Sequence, residues 1–190
     1  MNSHPGVDAG RRKLLGAFAG IATVAAAPAH AGLFGFLKGA GDIRRIRMYS
    51  QRTGEMLDTI YWIEGSYIPE AMKEINWFMR DWRTDGVINY DARNIDTIAA
   101  AHRLLETTEP FMMLSGYRSP QTNAMLRKRS RGVASNSFHI KGMAADLKLR
   151  SRSVRQMASA AIACRSGGVG QYGRSGFVHM DSGPIRTWRG

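Results

Sequence analysis

Two histidines and one aspartate are the residues of this sequence best suited to carry chemistry. We expect His139 to end one extended segment and Asp146 to lie on the next, with Gly142 in the turn between them. His179 comes from a separate segment near the C-terminus. Two imidazoles and one carboxylate can hold Zn²⁺ and leave a fourth position open for water, as hydrolytic zinc sites do. Structural zinc more often uses cysteines, and this chain has only one.

Three short motifs surround these residues. The segment from Ser137 to Asp146 has the pattern S-x-H-x-x-G-x-A-x-D, the upstream segment Ser115–Arg118 is S-G-Y-R, and Val178–Asp181 is V-H-x-D. In this order they resemble the zinc D-Ala-D-Ala carboxypeptidase family, whose fold is shared with Hedgehog proteins. The most similar branch is that of exported proteins similar to murein endopeptidase K. The resemblance covers roughly residues 111–183.

The resemblance implies a zinc metallopeptidase with a Hedgehog-like fold. His139, Asp146 and His179 match the metal ligands of the family. Arg118 matches an arginine that faces the scissile carbonyl, where a guanidinium would stabilise the developing oxyanion. The reaction that these residues imply is metal-assisted hydrolysis, in which no serine or cysteine nucleophile is needed.

Two further residues match positions near the substrate, and each has a structural alternative. Ser137 matches a serine that helps to hold substrate, but its hydroxyl could instead make a backbone hydrogen bond in the turn. Tyr117 could stack on the bound peptide or simply pack against the protein interior. The sequence leaves both pairs of alternatives open.

The general base is the point at which this sequence departs from the family pattern. Many members place Glu or Asp three residues before the last histidine, where this chain has Gly176. Asp181 is the best local substitute, because strand alternation puts it on the same face as His179. It could instead orient His179 through the other ring nitrogen, which is the commoner role of such a carboxylate. We favour the orienting role narrowly.

The elements that must position these residues follow from hydrophobic periodicity and turn signals. Helices are predicted over about 70–83, 94–106, 120–129 and 151–164, with Ser119 and Ser151 capping the last two. Strands are predicted over 47–49, 58–63, 111–114, 144–149 and 177–181, the last strand of the chain, and the turn at 52–55 predicts that the first two form a hairpin. The glycine-rich residues 167–170 are predicted as a loop. Helices and short strands mixed without regular alternation indicate an α+β fold, with a small antiparallel sheet flanked by helices. His102 and Cys164 are expected to be structural residues on helices.

The N-terminal 31 residues have the pattern of an export signal. The basic run Arg11–Lys13 precedes an apolar stretch rich in alanine and glycine, and Ala29–Ala31 fits a small-x-small cleavage site. The paired arginines resemble a twin-arginine signal, although an ordinary secretory signal would look similar. The apolar stretch is about half as long as a membrane span, so we expect no stable anchor after cleavage. We therefore predict a signal peptide over 1–31, a basic tether and edge segment over 32–54, and a zinc peptidase domain over 55–190.

The strong positive charge limits the choice of partners. The chain carries a formal net charge of +12 at pH 7, and loss of the export signal removes only two of these charges. Such a charge attracts polyanions over long distances. After export, nucleic acid is not an expected partner, and the free carboxylates of peptidoglycan stem peptides are the available anions.

The leading hypothesis is therefore a zinc-dependent murein endopeptidase that hydrolyses peptide cross-links in the periplasm or extracytoplasmic envelope of a bacterium. A carboxypeptidase that trims terminal D-amino acids would use the same ligands. A third possibility is a non-catalytic envelope-binding protein, because the acid expected at Gly176 is missing. The sequence alone does not separate these three functions.

Overall fold

A computed structural model describes residues 43–130 and 132–190, which form a mixed sheet packed against helices. The strands are β1 Ile43–Ser50, β2 Met56–Ile63, β3 Ser66–Tyr67, β4 Phe111–Ser115, β5 Ala144–Lys148, β6 Gly168–Tyr172, β7 Phe177–Asp181 and β8 Arg186–Arg189. The helices are α1 Pro69–Phe78, α2 Ala92–Leu104, α3 Pro120–Arg129 and α4 Val154–Ala163, with a 3₁₀ helix at Phe138–Lys141. The predicted signal peptide and residues 32–42 of the predicted tether lie outside the described residues.

The eight strands form one sheet in the order β3-β2-β1-β4-β5-β7-β6-β8. This architecture confirms the predicted α+β class, but the sheet is larger than expected and is not purely antiparallel. β1 runs parallel to β4, and β6 runs parallel to β8. A parallel pair needs a long crossover between its strands, and α1 and α2 lie in the connection that leads to β4.

The predicted hairpin at the start of the described chain is present, but β1 is not an edge strand. β1 pairs with β2 on one side and with β4 on the other. The edge assignment was wrong because alternate β1 side chains, including Ile46 and Met48, are fully buried in the core. Such a strand belongs inside the sheet.

The predicted helices are all present; α3 has the predicted bounds, and the ends of the other three are shifted. The predicted cap of α3 is confirmed, because the Ser119 side chain accepts a hydrogen bond from the backbone N–H of Thr122. α4 begins later than predicted, because Ser153 rather than Ser151 caps it in a reciprocal pair with Gln156. α1 ends at Phe78, well before the predicted residue 83.

The glycine-rich segment at 167–170 was predicted as a loop, but residues 168–170 belong to β6 and only Gly167 lies outside it. At Gly168 and Gly170 the neighbouring strand β8 lies so close that a side chain would collide with Arg186 and Trp188, respectively. Glycine is therefore required at 168 and 170, because the side chains of Arg186 and Trp188 occupy the space beside these backbone positions. The strand that contains His179 was predicted as the last of the chain, but β8 follows it.

The core lies between the sheet and the helices. Its largest fully buried side chains are Tyr61, Phe111, Ile46, Met48, Leu57, Ile75, Met79, Ile95, Ile98, Leu147, Met157 and Met180. Cys164 is also buried, as expected, and burial raises the pKa of its thiol to about 11. No helix among the described residues is long and apolar enough to cross a membrane.

Candidate metal centre

Three elements bring His139, Asp146 and His179 to one place. Asp146 on β5 and His179 on β7 are directly paired across the antiparallel ladder. The prediction that His139 ends an extended segment was wrong, because His139 lies in the 3₁₀ helix that precedes β5. Gly142 ends that helix in the left-handed conformation, with φ of 64°, and so makes the expected turn.

The three side chains present a compact set of donor atoms. Asp146 Oδ1 lies 2.8 Å from His179 Nδ1 and 3.3 Å from His139 Nε2. The two imidazole nitrogens are 3.3 Å apart. Ligands at zinc-like bond lengths around a tetrahedral ion are separated by about 3.3 Å. The two distances from His139 Nε2 match this separation and the Asp146–His179 distance is shorter, so the donor set can hold a metal ion after a small outward shift.

The ring nitrogens that face away from this centre are fixed by oxygen acceptors. His139 Nδ1 lies 2.7 Å from the carbonyl oxygen of Gly116, and His179 Nε2 lies 3.1 Å from Asp181 Oδ2. A carbonyl or carboxylate oxygen can only accept, so each of these nitrogens carries the proton. When both rings are neutral, the remaining lone pairs, on His139 Nε2 and His179 Nδ1, point to the shared site, as in metal-binding histidines.

The electrostatics of the centre favour an ionised aspartate. Burial tends to raise the pKa of Asp146, but the charges and hydrogen bonds of His139 and His179 overcome this and hold it well below its usual range. Burial lowers the pKa of His139. Burial acts in the same direction on His179, but its bonds to Asp146 and Asp181 raise its pKa to about 9. A metal ion that binds here must therefore displace a proton from His179.

Arg118 lies beside the metal-centre carboxylate. Its Nη2 donates to Asp146 Oδ2 at 2.6 Å, and its Nε donates to Ser115 Oγ at 2.8 Å. The backbone N–H of Arg118 also donates to the carbonyl of His139. These contacts hold the guanidinium at the wall of the cleft.

The two residues matched to substrate binding lie in different surroundings. Ser137 lines the cleft, and its hydroxyl accepts a hydrogen bond from the backbone N–H of His139 at 3.3 Å. Ser137 therefore makes the backbone hydrogen bond that was one of its two predicted roles, and it also borders the cleft. Tyr117 packs against the core and does not line the cleft, which favours the packing alternative.

The cleft beside these residues has a volume of about 610 Å³, and part of its wall is aromatic. Five wall residues were not predicted from the sequence: Phe138, Tyr172, Phe177, Arg186 and Trp188. The rings of Tyr172 and Phe177 stack with centroids 4.4 Å apart. The sequence did contain an indication for one of them, because alternation along β7 puts Phe177 on the same face as His179.

Asp181 is buried and fully engaged by hydrogen-bond donors. Its Oδ1 accepts from the backbone N–H groups of Gly168 and Gly183, at 3.1 and 2.9 Å. Arg186 donates to both oxygens, through Nη1 at 3.0 Å and Nη2 at 2.7 Å. Burial would raise the pKa of Asp181, but the bonds from His179 and Arg186 hold it well below its usual range. A carboxylate with these partners is suited to orienting His179 and poorly suited to taking a proton.

Replacing Asp181 with asparagine should therefore weaken metal binding about ten- to a hundredfold, the usual effect of losing such a partner. Turnover should recover when zinc is raised to saturation. Activity measured across a zinc titration checks this, with Asp85→Asn as an exposed aspartate control. Turnover that stays absent when the site is saturated would instead make Asp181 the general base.

Comparison with known proteins was consistent with this site. A family model described as Peptidoglycan L,D-endopeptidase MepK matches residues 38–188, a range that includes all three metal-centre residues. The peptidoglycan L,D-endopeptidase MepK of Escherichia coli (strain K12) is 40% identical over 184 residues, covering 95% of this chain and 98% of that protein. The probable peptidoglycan L,D-endopeptidase MepK of Haemophilus influenzae is 40% identical over 144 residues, covering 73% and 75%. These similarities confirm the resemblance identified from the motifs.

Proposed function

The chain belongs to the peptidoglycan L,D-endopeptidase MepK family, and from this premise we propose that it is a zinc-dependent endopeptidase that hydrolyses peptide cross-links between peptidoglycan stem peptides. The observation that carries the proposal is the donor set of His139, Asp146 and His179 at the wall of an open cleft. Two histidines and one carboxylate with a free fourth position are typical of catalytic zinc sites.

Each residue of the site has a role in this reaction. His139, Asp146 and His179 would hold the ion, which supplies Lewis acidity toward a water molecule and the peptide carbonyl. Arg118 donates hydrogen bonds to the carbonyl oxygen as negative charge develops there. Asp181 holds His179 in the tautomer that the metal requires.

The open cleft binds the substrate peptide. Its aromatic residues, Phe138, Tyr172, Phe177 and Trp188, pack against the peptide. Ser137 borders the same cleft and can hydrogen-bond the substrate with its free lone pair. The name of the relatives indicates cleavage between an L- and a D-configured residue, and we extend that specificity to this chain.

The proposed site of action is the periplasm. The family acts on peptidoglycan, which lies in the cell envelope, and the N-terminal sequence has the twin-arginine and small-x-small features of an export signal. We propose that residues 1–31 are removed after export.

Digestion of purified sacculi with the chain beginning at residue 32 tests the function. Separation of the products by chromatography and mass analysis should show cross-linked dimers converted to monomers, in a reaction stopped by a chelator and restored by Zn²⁺. Purified dimers joined by L,D bonds should be cut faster than dimers joined by D,D bonds. Release of terminal D-amino acids alone would identify a carboxypeptidase, and zinc binding without any product would identify a binding protein.

A further inference from the structure

We propose that a basic surface beside the metal cleft docks the peptidoglycan polymer through its carboxylates and so extends the substrate site beyond the cleft. This surface, the Trp82 face, consists of Arg52, Trp82, Arg83 and Arg129. The proposal rests on the proposed function, because it names how that substrate is held.

The centre of the Trp82 face is an aromatic ring with two guanidinium groups over it. The guanidinium carbon of Arg83 lies 4.1 Å from the centroid of the Trp82 ring, and that of Arg52 lies 5.6 Å from it. A guanidinium held by a ring in this way keeps N–H groups that can donate to a carboxylate.

The Trp82 face is fixed to the segment that supplies Arg118. Asp81 is buried, and its two oxygens accept from the backbone N–H groups of Ser119 and Arg83, at 2.9 and 3.2 Å. The N–H of Tyr117 donates to the carbonyl of Met79 at 2.7 Å. The loop that carries Trp82 is therefore anchored on both sides of Arg118.

The second connection to the cleft runs along α3. That helix begins just after Arg118 and ends at Arg129, and Ser130 and Gly132 line the cleft beyond it. An extended anionic chain that leaves the cleft at either end of α3 meets the Trp82 face.

The charges of the Trp82 face are not neutralised within the described part of the chain. Among residues 43–130 and 132–190, no carboxylate lies within 4.0 Å of the guanidinium nitrogens of Arg52, Arg83 or Arg129. Partial burial, together with the nearby charges of Arg52, Arg118 and Arg129, lowers the pKa of Arg83 against the opposing effect of Asp81. Several guanidinium groups held this close repel one another, and an anionic partner relieves that repulsion.

The chemistry of peptidoglycan fits this surface. Its stem peptides carry free carboxylates at intervals along an extended polymer, and its sugar and peptide units can pack on the accessible part of the Trp82 ring, which is half-buried. A small soluble peptide would fill the cleft without reaching the Trp82 face. The surface should therefore matter for the polymer and not for small substrates.

The test is the triple variant Arg52→Gln, Arg83→Gln and Arg129→Gln in the zinc-loaded protein. We expect roughly tenfold weaker binding to purified sacculi at low ionic strength, because attraction at the rim of a binding surface is lost. The difference should shrink in high salt, where surface charges are screened. Hydrolysis of a soluble cross-linked peptide dimer should be unchanged.

The matched control is a second triple variant, Arg103→Gln, Arg155→Gln and Arg165→Gln, which removes the same charge from exposed positions on other surfaces. It should bind sacculi at least severalfold more tightly than the first variant. Equal binding by the two variants would mean that only net charge matters and would overturn the proposal. Wild-type binding and salt dependence in the first variant would also overturn it. Sedimentation with sacculi needs no catalysis, so these outcomes are separate from failure of the proposed function.

Discussion

Replacing His139 with alanine is expected to remove nearly all bound zinc and to abolish hydrolysis of cross-linked peptides. His139 supplies one of three protein ligands, and the remaining aspartate and histidine cannot enclose the ion alone. We expect zinc affinity to fall more than about a hundredfold, because losing a ligand costs more than losing a residue that orients one. Metal analysis after dialysis, joined to a muropeptide digest, measures both effects.

The control for this substitution is His102→Ala. The His102 ring lies on α2, with Nε2 2.7 Å from the carbonyl oxygen of Glu109 and its edge against Phe111. Its loss can change stability but should leave one zinc per chain and active enzyme. A His139→Ala protein with wild-type zinc content would contradict the assignment of the metal centre.

The metal-centre residues could be predicted because short-range patterns carry the information. The spacing from His139 to Asp146 includes its own glycine turn, and strand alternation places His179 and Asp181 on one face. The local conformation of His139 was predicted wrongly. A single 3₁₀ turn of four residues, capped by Ser137, is too short to show any hydrophobic period.

The contact of Arg186 with Asp181 could not be predicted from turn signals or strand alternation. Arg186 comes from β8, a short strand whose exposed side chains give no alternation signal. Its partner strand β6 is rich in glycine, because the side chains of Arg186 and Trp188 fill the space over Gly168 and Gly170. Gly168 and Gly170 allow this close packing, but because they have no side chains, β6 shows no alternation of apolar and polar residues from which a strand could be predicted.

The order of strands in the sheet could not be predicted, for a different reason. Pairing of β1 with β4 joins segments separated by two helices, and parallel pairing is set by tertiary packing rather than by a local turn. The β1–β2 hairpin, by contrast, was predicted correctly because its turn lies within the sequence of the pair.

Replacing Arg118 with alanine is expected to slow hydrolysis by roughly two to three powers of ten at saturating zinc, the usual effect of removing one oxyanion donor. The contact of Arg118 with Asp146 adds a second expectation, since a partner of a ligating carboxylate also supports metal affinity. Zinc should bind more weakly to the variant but should still fill the site when supplied in excess. The turnover number and the zinc affinity must therefore be measured separately, each across a zinc titration.

The two roles of Arg118 predict different results for two substitutions. Lysine keeps a positive charge near Asp146 but loses the planar guanidinium that contacts Ser115 and the carboxylate together. Arg118→Lys should therefore recover much of the zinc affinity and only part of the turnover number. If Arg118 acts only by positioning Asp146, turnover of Arg118→Ala will return to the wild-type value once zinc saturates the site. Persistent loss of turnover at full zinc occupancy is the result that assigns Arg118 to stabilisation of the oxyanion.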